Sequence, residues 1–134
     1  KNSEVNEFLN SINIDLTGLS GGEGWNLPAF NSTCLGKWSV VLNCTSHKDW
    51  ATKENSILIN PSGQMPCADG VFFHEGNPFN QGAFYTWTEE EAIWAMEEAE
   101  EKAGQINTEG VKLGDKMTYS NTVDSILSLI FKGK

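Results

Sequence analysis

One stretch, Glu23-Gly24-Trp25-Asn26-Leu27-Pro28-Ala29-Phe30-Asn31, constrains what this chain can fold into more than any other. It follows a short alternating apolar run, Ile12 to Leu16, and leads into a segment able to start a helix. A carboxylate is thereby presented on a Gly-rich turn just ahead of helix N-terminal amides. The first N–H groups of a helix have no intrahelical partner, and the helix dipole favours negative charge beside them. An α/β domain commonly holds an anionic ligand in this way. Pro28 suits the first helical turn, where its missing N–H is not needed. The glycines at 21, 22 and 24 are expected to supply positive φ and to let a ligand approach the backbone. A phosphate or sugar-phosphate site and a plain strand-to-helix turn both fit these local features.

The length, 134 residues, suits a single domain with one core. An apolar content of 39% with five Trp marks a globular chain rather than a disordered one. Eighteen acidic residues against nine basic ones give a formal charge of −9, which argues against a nucleic-acid or anionic-membrane surface. One phosphate-sized site remains compatible with that charge, because local amides bind an anion within an acidic protein. The chain opens on Lys1 without a charged-then-apolar leader, and no apolar run approaches the ~20 residues of a membrane span. Cys34, Cys44 and Cys67 are odd in number and lack C-x-x-C spacing, so they read as reduced thiols of a cytoplasmic protein. Asn31-Ser32-Thr33 and Asn43-Cys44-Thr45 match the glycosylation acceptor pattern, read here as coincidence.

Periodicity places the elements. Val5, Phe8, Leu9 and Ile12 fall on one face of an opening helix, and Ile14 to Thr17 reads as a short strand. A helix is expected from Leu27 to Leu35, stopped by Gly36. Trp38 to Asn43 and Ser56 to Asn60 read as strands, with a short helix through His47-Lys48-Asp49-Trp50 between them. Residues Gln64 to Gly82 read as one long loop, Ala83 to Thr86 as a further short strand. Thr88-Glu89-Glu90-Glu91 is a capping box for an acidic helix running to about Ala103 and stopping at Gly104. A terminal helix carries Val123, Ile126, Leu127, Ile130 and Phe131 on one stripe, with Asn121 as its cap. The order is that of an α/β, Rossmann-like parallel sheet with flanking helices. Three strands of such a sheet are fewer than a doubly wound fold normally has. Residues 1–134 are therefore expected to form a single domain that is part of a larger one.

With the motif placed between strand and helix, the chain resembles the C-terminal, donor-binding domain of GT-B fold glycosyltransferases, specifically the retaining group 1 (family 4) enzymes. These typically carry a segment like E-G-F-G-L-P-x-x-E-A-M-A-C-G-x-P-V-I, which here runs from Glu23 through Trp25, Leu27, Pro28, Asn31, Cys34 and Gly36 to Val40. Asn55 to Pro61 is similar to the strand that follows in the family, and the two later helices look like their counterparts. The resemblance implies an incomplete half of a GT-B C-terminal domain that binds a nucleotide-diphosphate sugar for transfer to an unknown acceptor. It implies that Glu23 orients the transferred sugar, while backbone amides of Gly24, Trp25, Asn26 and Leu27 bind sugar hydroxyls and the diphosphate. The second Glu of the family pattern, which grips the ribose, is replaced by Asn31. An amide there bonds a ribose about half as strongly as a carboxylate would. The basic residues that assist the leaving group and the acceptor-holding domain lie elsewhere in such enzymes, so this chain alone is expected to bind donor weakly and not to turn over.

Blander expectations stand beside these. Glu23 is a surface residue of a turn, and Trp25 is a packing anchor. His47 and His74 are ordinary loop histidines; neither a metal nor a cofactor is expected. Asp49 falls on a loop able to approach a nucleotide base, and the Glu-rich run from 89 to 101 is expected to be a solvated helix face. Phe72, Phe73 and Phe79 are expected to pack the long loop. Two rival functions remain: a non-catalytic α/β interaction domain that has lost the donor site, and a sugar-phosphate enzyme such as an isomerase. A half-domain also exposes a sheet edge, so a homo-oligomer is expected.

Overall fold

The computed structural model describes residues 2–79 and 82–132. Its centre is a parallel sheet of three strands, β1 (Ile14–Gly18), β2 (Trp38–Leu42) and β3 (Ile57–Ile59), in the order β1-β2-β3. An opening helix, α1 (Asn2–Ser11), precedes it, and α2 (Leu27–Cys34) makes the crossover from β1 to β2. A 3-10 turn, Thr45–Asp49, leads from β2 towards β3. Beyond the sheet come α3 (Glu89–Lys102), α4 (Thr108–Lys116) and α5 (Tyr119–Phe131). The chain is thus mixed α/β with a parallel sheet between helices, as the pattern predicts.

The central strand shows why both faces must be covered. Val40 and Leu42 join Ile57, Ile59, Ala95 and Ala99 beneath α3. Val41, on the opposite face, packs with Ala29 of α2, Trp50 and Ala51. Ser39 shares the α2 face and stays satisfied there, donating to the Ala29 carbonyl while accepting from the Thr33 hydroxyl. Alanines at 92, 95 and 99 give α3 its buried stripe, a choice that brings its backbone close to the strands.

Helix ends follow the expected chemistry. Gly36 takes φ 81° just beyond α2, and Gly104 takes φ 78° beyond α3. Thr88 and Glu91 form the reciprocal capping box. The cap of α5, however, is Thr118 rather than Asn121, whose amide instead donates to the carbonyls of Asp115 and Lys116. Helix α4 was not expected at all.

The long loop also differs from expectation, apart from residues 80 and 81, which lie outside the described residues. Gly63–Pro66 forms a strand, β4, paired antiparallel with β5 (Ala83–Thr86). The stretch between them is not packed by its aromatic rings, because Phe72 is 82% and Phe79 is 92% exposed. Hydrogen bonding organises it instead. One oxygen of Asp69 accepts from the N–H groups of Val71, Phe72 and Phe73. Those donors favour the charged form and hold the Asp69 carboxyl below the usual range.

No disulfide joins Cys34, Cys44 and Cys67. Burial pushes Cys34 up to about 11, so it stays a thiol near neutrality. No described helix is long and apolar enough to cross a membrane.

Candidate functional site

The turn between β1 and α2 sits at the C-terminal end of a parallel strand, the edge of an α/β sheet where ligands usually bind. Its geometry starts at Asn26. This residue is 5% exposed and adopts the left-handed region, with φ 59° and ψ 70°. Asn tolerates that region better than most side chains because it bonds locally. Its Oδ1 accepts from the Ala29 N–H at 3.2 Å, capping α2, while its Nδ2 donates to the Thr17 carbonyl at 2.8 Å. Helix α2 therefore begins at Leu27, with Pro28 in its first turn.

Three carbonyls of the turn are then tied inward. Ser46 Oγ donates to the Glu23 carbonyl at 3.1 Å, and Trp50 Nε1 donates to the Trp25 carbonyl at 3.1 Å. The Asn26 carbonyl accepts the first helical bond, from Phe30 N–H at 3.0 Å. In a planar trans peptide the N–H points opposite to the C=O of the same unit. The N–H groups of Gly24, Asn26 and Leu27 consequently point away from the protein groups that hold their carbonyl partners. Among the described residues, none of the four amides from Gly24 to Leu27 meets an acceptor. A row of donors without acceptors follows a carboxylate. Chemically, such a face receives groups rich in lone pairs, such as phosphate oxygens or sugar hydroxyls.

The expected site residues take distinct places around that row. Glu23 is half-buried at its start, and Gly24 and Leu27 are exposed. Trp25 is half-buried and meets Phe30 edge-on at 5.5 Å; Phe30 in turn meets Trp50 at 5.6 Å. Trp25 is thus a packing anchor of the turn. Asn31 is exposed on α2. Asp49 is exposed, whereas neighbouring Trp50 is buried.

The glycine reading needs correction. Gly21, Gly22 and Gly24 are not among the residues with positive φ; in the turn that conformation belongs to Asn26. Gly21 and Gly22 are small because the β4–β5 hairpin lies on them. A Cβ on Gly21 would fall 1.9 Å from the Tyr85 carbonyl oxygen, and one on Gly22 would fall 2.6 Å from the Phe84 ring. Gly24 has open space around it.

His47 is no ordinary loop histidine. It is fully buried, and its Nδ1 lies 2.7 Å from the Leu42 carbonyl. A carbonyl only accepts, so Nδ1 carries the proton, and Nε2 has no partner among the described residues. Its ring stands edge-on to Trp50 at 6.0 Å, fixing the 3-10 turn that supplies Ser46. The described residues contain no group of His, Cys, Asp and Glu that could hold a metal ion.

Sequence reasoning missed the supports of the turn: Asp15, Thr17, Ser46 and the Asn26 side chain. Asp15 held a readable signal, a carboxylate inside an otherwise apolar strand run. No family model matches the chain, and no curated protein does so.

Proposed function

We propose that this chain is the donor-binding portion of a retaining glycosyltransferase, a partial GT-B C-terminal domain that binds a nucleotide-diphosphate sugar. One observation carries the reading: amides 24–27 stand without acceptors beside Glu23 while the alternate carbonyls are bound inward. Breaking a sugar–phosphate bond places negative charge on the departing diphosphate. Donors already fixed in position stabilise that charge without reorganising. In this reading the Glu23 carboxylate accepts from sugar hydroxyls and orients the sugar. Asn31, exposed on α2, offers its amide to the ribose. Lys48 lies exposed on the 3-10 turn that carries Ser46, and in this reading it offers a cation to the diphosphate.

The test is a titration of nucleotide-diphosphate sugars followed by intrinsic Trp fluorescence, since Trp25 and Trp50 are both bonded into the turn. A saturable change is expected. Glu23→Ala should weaken it about 10- to 100-fold with the fold retained, since hydrogen bonds to a charged group contribute about 1.5–3 kcal/mol. No response to any nucleotide sugar at millimolar concentration would overturn the reading in favour of an interaction domain. A response to sugar phosphates alone would favour the isomerase-like alternative.

Asn31 in place of the second Glu favours the interaction domain as a second reading. Self-association belongs to both. In the described sheet β1 and β3 each keep an unpaired edge, and Leu16 with Ile14, Met96 and Ala99 lines an open apolar cleft of about 330 Å³ beside β1. Such edges invite pairing. A dimer or larger species is expected in light scattering at high concentration, and a monomer throughout would count against it.

A further inference from the structure

We propose that Asp15 is a positioning residue that presets the amide-bearing turn through a closed ring of hydrogen bonds. Asp15 is 5% exposed, and no salt bridge holds it among the described residues. Its Oδ1 accepts from the Thr17 N–H at 2.9 Å and the Thr17 hydroxyl at 2.7 Å. The Thr17 carbonyl accepts from Asn26 Nδ2, and Asn26 Oδ1 accepts from the Ala29 N–H of α2. One turn further along α2, the Ser32 hydroxyl donates back to Asp15 Oδ2 at 3.2 Å. Strand, cap and helix are thereby locked in one circuit, and residues 18–25 form the loop that it closes.

The ring explains two otherwise costly features. A buried carboxylate without a cation is tolerated because three donors satisfy it. A left-handed Asn26 is tolerated because both ends of its amide are bonded. The ring also fixes where the turn leaves β1. The β1–β2 register is irregular between Asp15 and Gly18, and a Cβ at Gly18 would fall 2.4 Å from the Val40 carbonyl oxygen. The strand end therefore has little room to shift. Asp15 touches none of the residues proposed to meet the donor, apart from its indirect hold on Asn26. Its role is to keep amides 24–27 aligned before any ligand arrives.

The inference rests on the donor reading only in giving those amides a ligand, so its test is made on the unliganded protein. Backbone order parameters of Gly24, Trp25, Asn26 and Leu27 are measured by NMR for the natural chain, Asp15→Asn, Asp15→Ala and Asn26→Gly. The natural chain should give values near the rigid level of about 0.85, and Asp15→Ala should drop them below about 0.6 while β2 and α3 stay rigid. Asp15→Asn should restore most of the order, because its amide can still accept from Thr17 and donate to Ser32. If Asp15→Ala does not fold, Asn26→Gly decides: glycine admits the left-handed conformation without steric cost, loses both side-chain bonds and adds backbone freedom of its own, so retained order there is the decisive outcome. Turn amides as ordered in Asp15→Ala as in the natural chain, or equally ordered in Asn26→Gly, would overturn the proposal. An ordered turn that depends on Asp15 in a chain that binds no nucleotide sugar would sink the donor reading and leave the ring standing.

Discussion

Asn107→Ala is expected to destabilise the fold by about 3 kcal/mol, although Asn107 lies far in sequence from the candidate site. The side chain is fully buried at the start of α4. Its Oδ1 caps the helix by accepting from the Gly110 N–H at 2.9 Å. Its Nδ2 donates to two carbonyls from distant parts of the chain, Lys37 at 2.9 Å and Asn55 at 2.7 Å. One amide thus staples α4 to the residues that lead into β2 and β3. Losing an N-cap costs about 1 kcal/mol. Leaving a buried carbonyl without its donor costs a further ~1–3 kcal/mol, and two carbonyls share that loss here. A chain of this size should then melt roughly 10 °C lower. Thermal and urea denaturation measure the difference. Asn121→Ala is the control, since its partners are exposed and its expected cost is below about 1 kcal/mol. A cost for Asn107→Ala no larger than the control's would show that α4 is held by other means.

The same residue shows where sequence pattern stops being informative. Helix α4 reads Thr-Glu-Gly-Val-Lys-Leu-Gly-Asp-Lys, with two glycines inside it. Glycine in a helix interior costs about 1 kcal/mol against alanine, so the segment looks like a breaker. The structure supplies the compensation. A Cβ at Gly110 would fall 2.2 Å from the Thr33 carbonyl oxygen, and one at Gly114 would fall 3.0 Å from the Cys34 side chain. The glycines let α4 lie directly on the end of α2. That is a tertiary fact, and local propensity cannot express it. Strand β4 was hidden for a related reason: Gly63, Gln64, Met65 and Pro66 are all exposed, so no burial pattern marks them.

By contrast, the start of α2, its stop at Gly36, the capping box at Thr88 and the three strands of the parallel sheet were legible because each depends on adjacent residues. The site was half legible on the same principle. The carboxylate, the turn and the helix start are local. What holds them is not: Ser46 and Trp50 come from beyond β2, and Ser32 closes on Asp15 across the crossover. The alternation Ile14-Asp15-Leu16 would place Asp15 outward if one face of the sheet were solvated. With helices on both faces, Asp15 is buried under α2 and Leu16 is the more exposed at 42%.

Gly21→Ala should release the β4–β5 hairpin from the turn while leaving the parallel sheet intact. The added methyl would lie 1.9 Å from the Tyr85 carbonyl oxygen and 2.8 Å from the Tyr85 nitrogen. Both are backbone atoms, so no side-chain rotation relieves the clash, and the two segments must part by more than 1 Å. Separation on that scale breaks the bond from Tyr85 N–H to the Gly21 carbonyl, now 3.0 Å long. What then remains between hairpin and turn includes the Trp87 Nε1 bond to the Leu19 carbonyl and the Phe84 ring over Gly22. Overpacking of this kind costs about 1–3 kcal/mol. Hydrogen exchange should accelerate at Tyr85, and proteolysis should rise among the phenylalanines between β4 and β5. The amides of β2 should keep their protection. Gly24→Ala is the matched comparison, because no atom lies within 4 Å of its added methyl and its expected change is within about 0.5 kcal/mol. Unchanged exchange at Tyr85 in Gly21→Ala would mean the hairpin does not lean on the turn. If exchange does rise and the proposed nucleotide-sugar binding survives, the hairpin is a separate layer and the amide-bearing turn acts without it; if that binding falls with it, the turn depends on the hairpin lying against it.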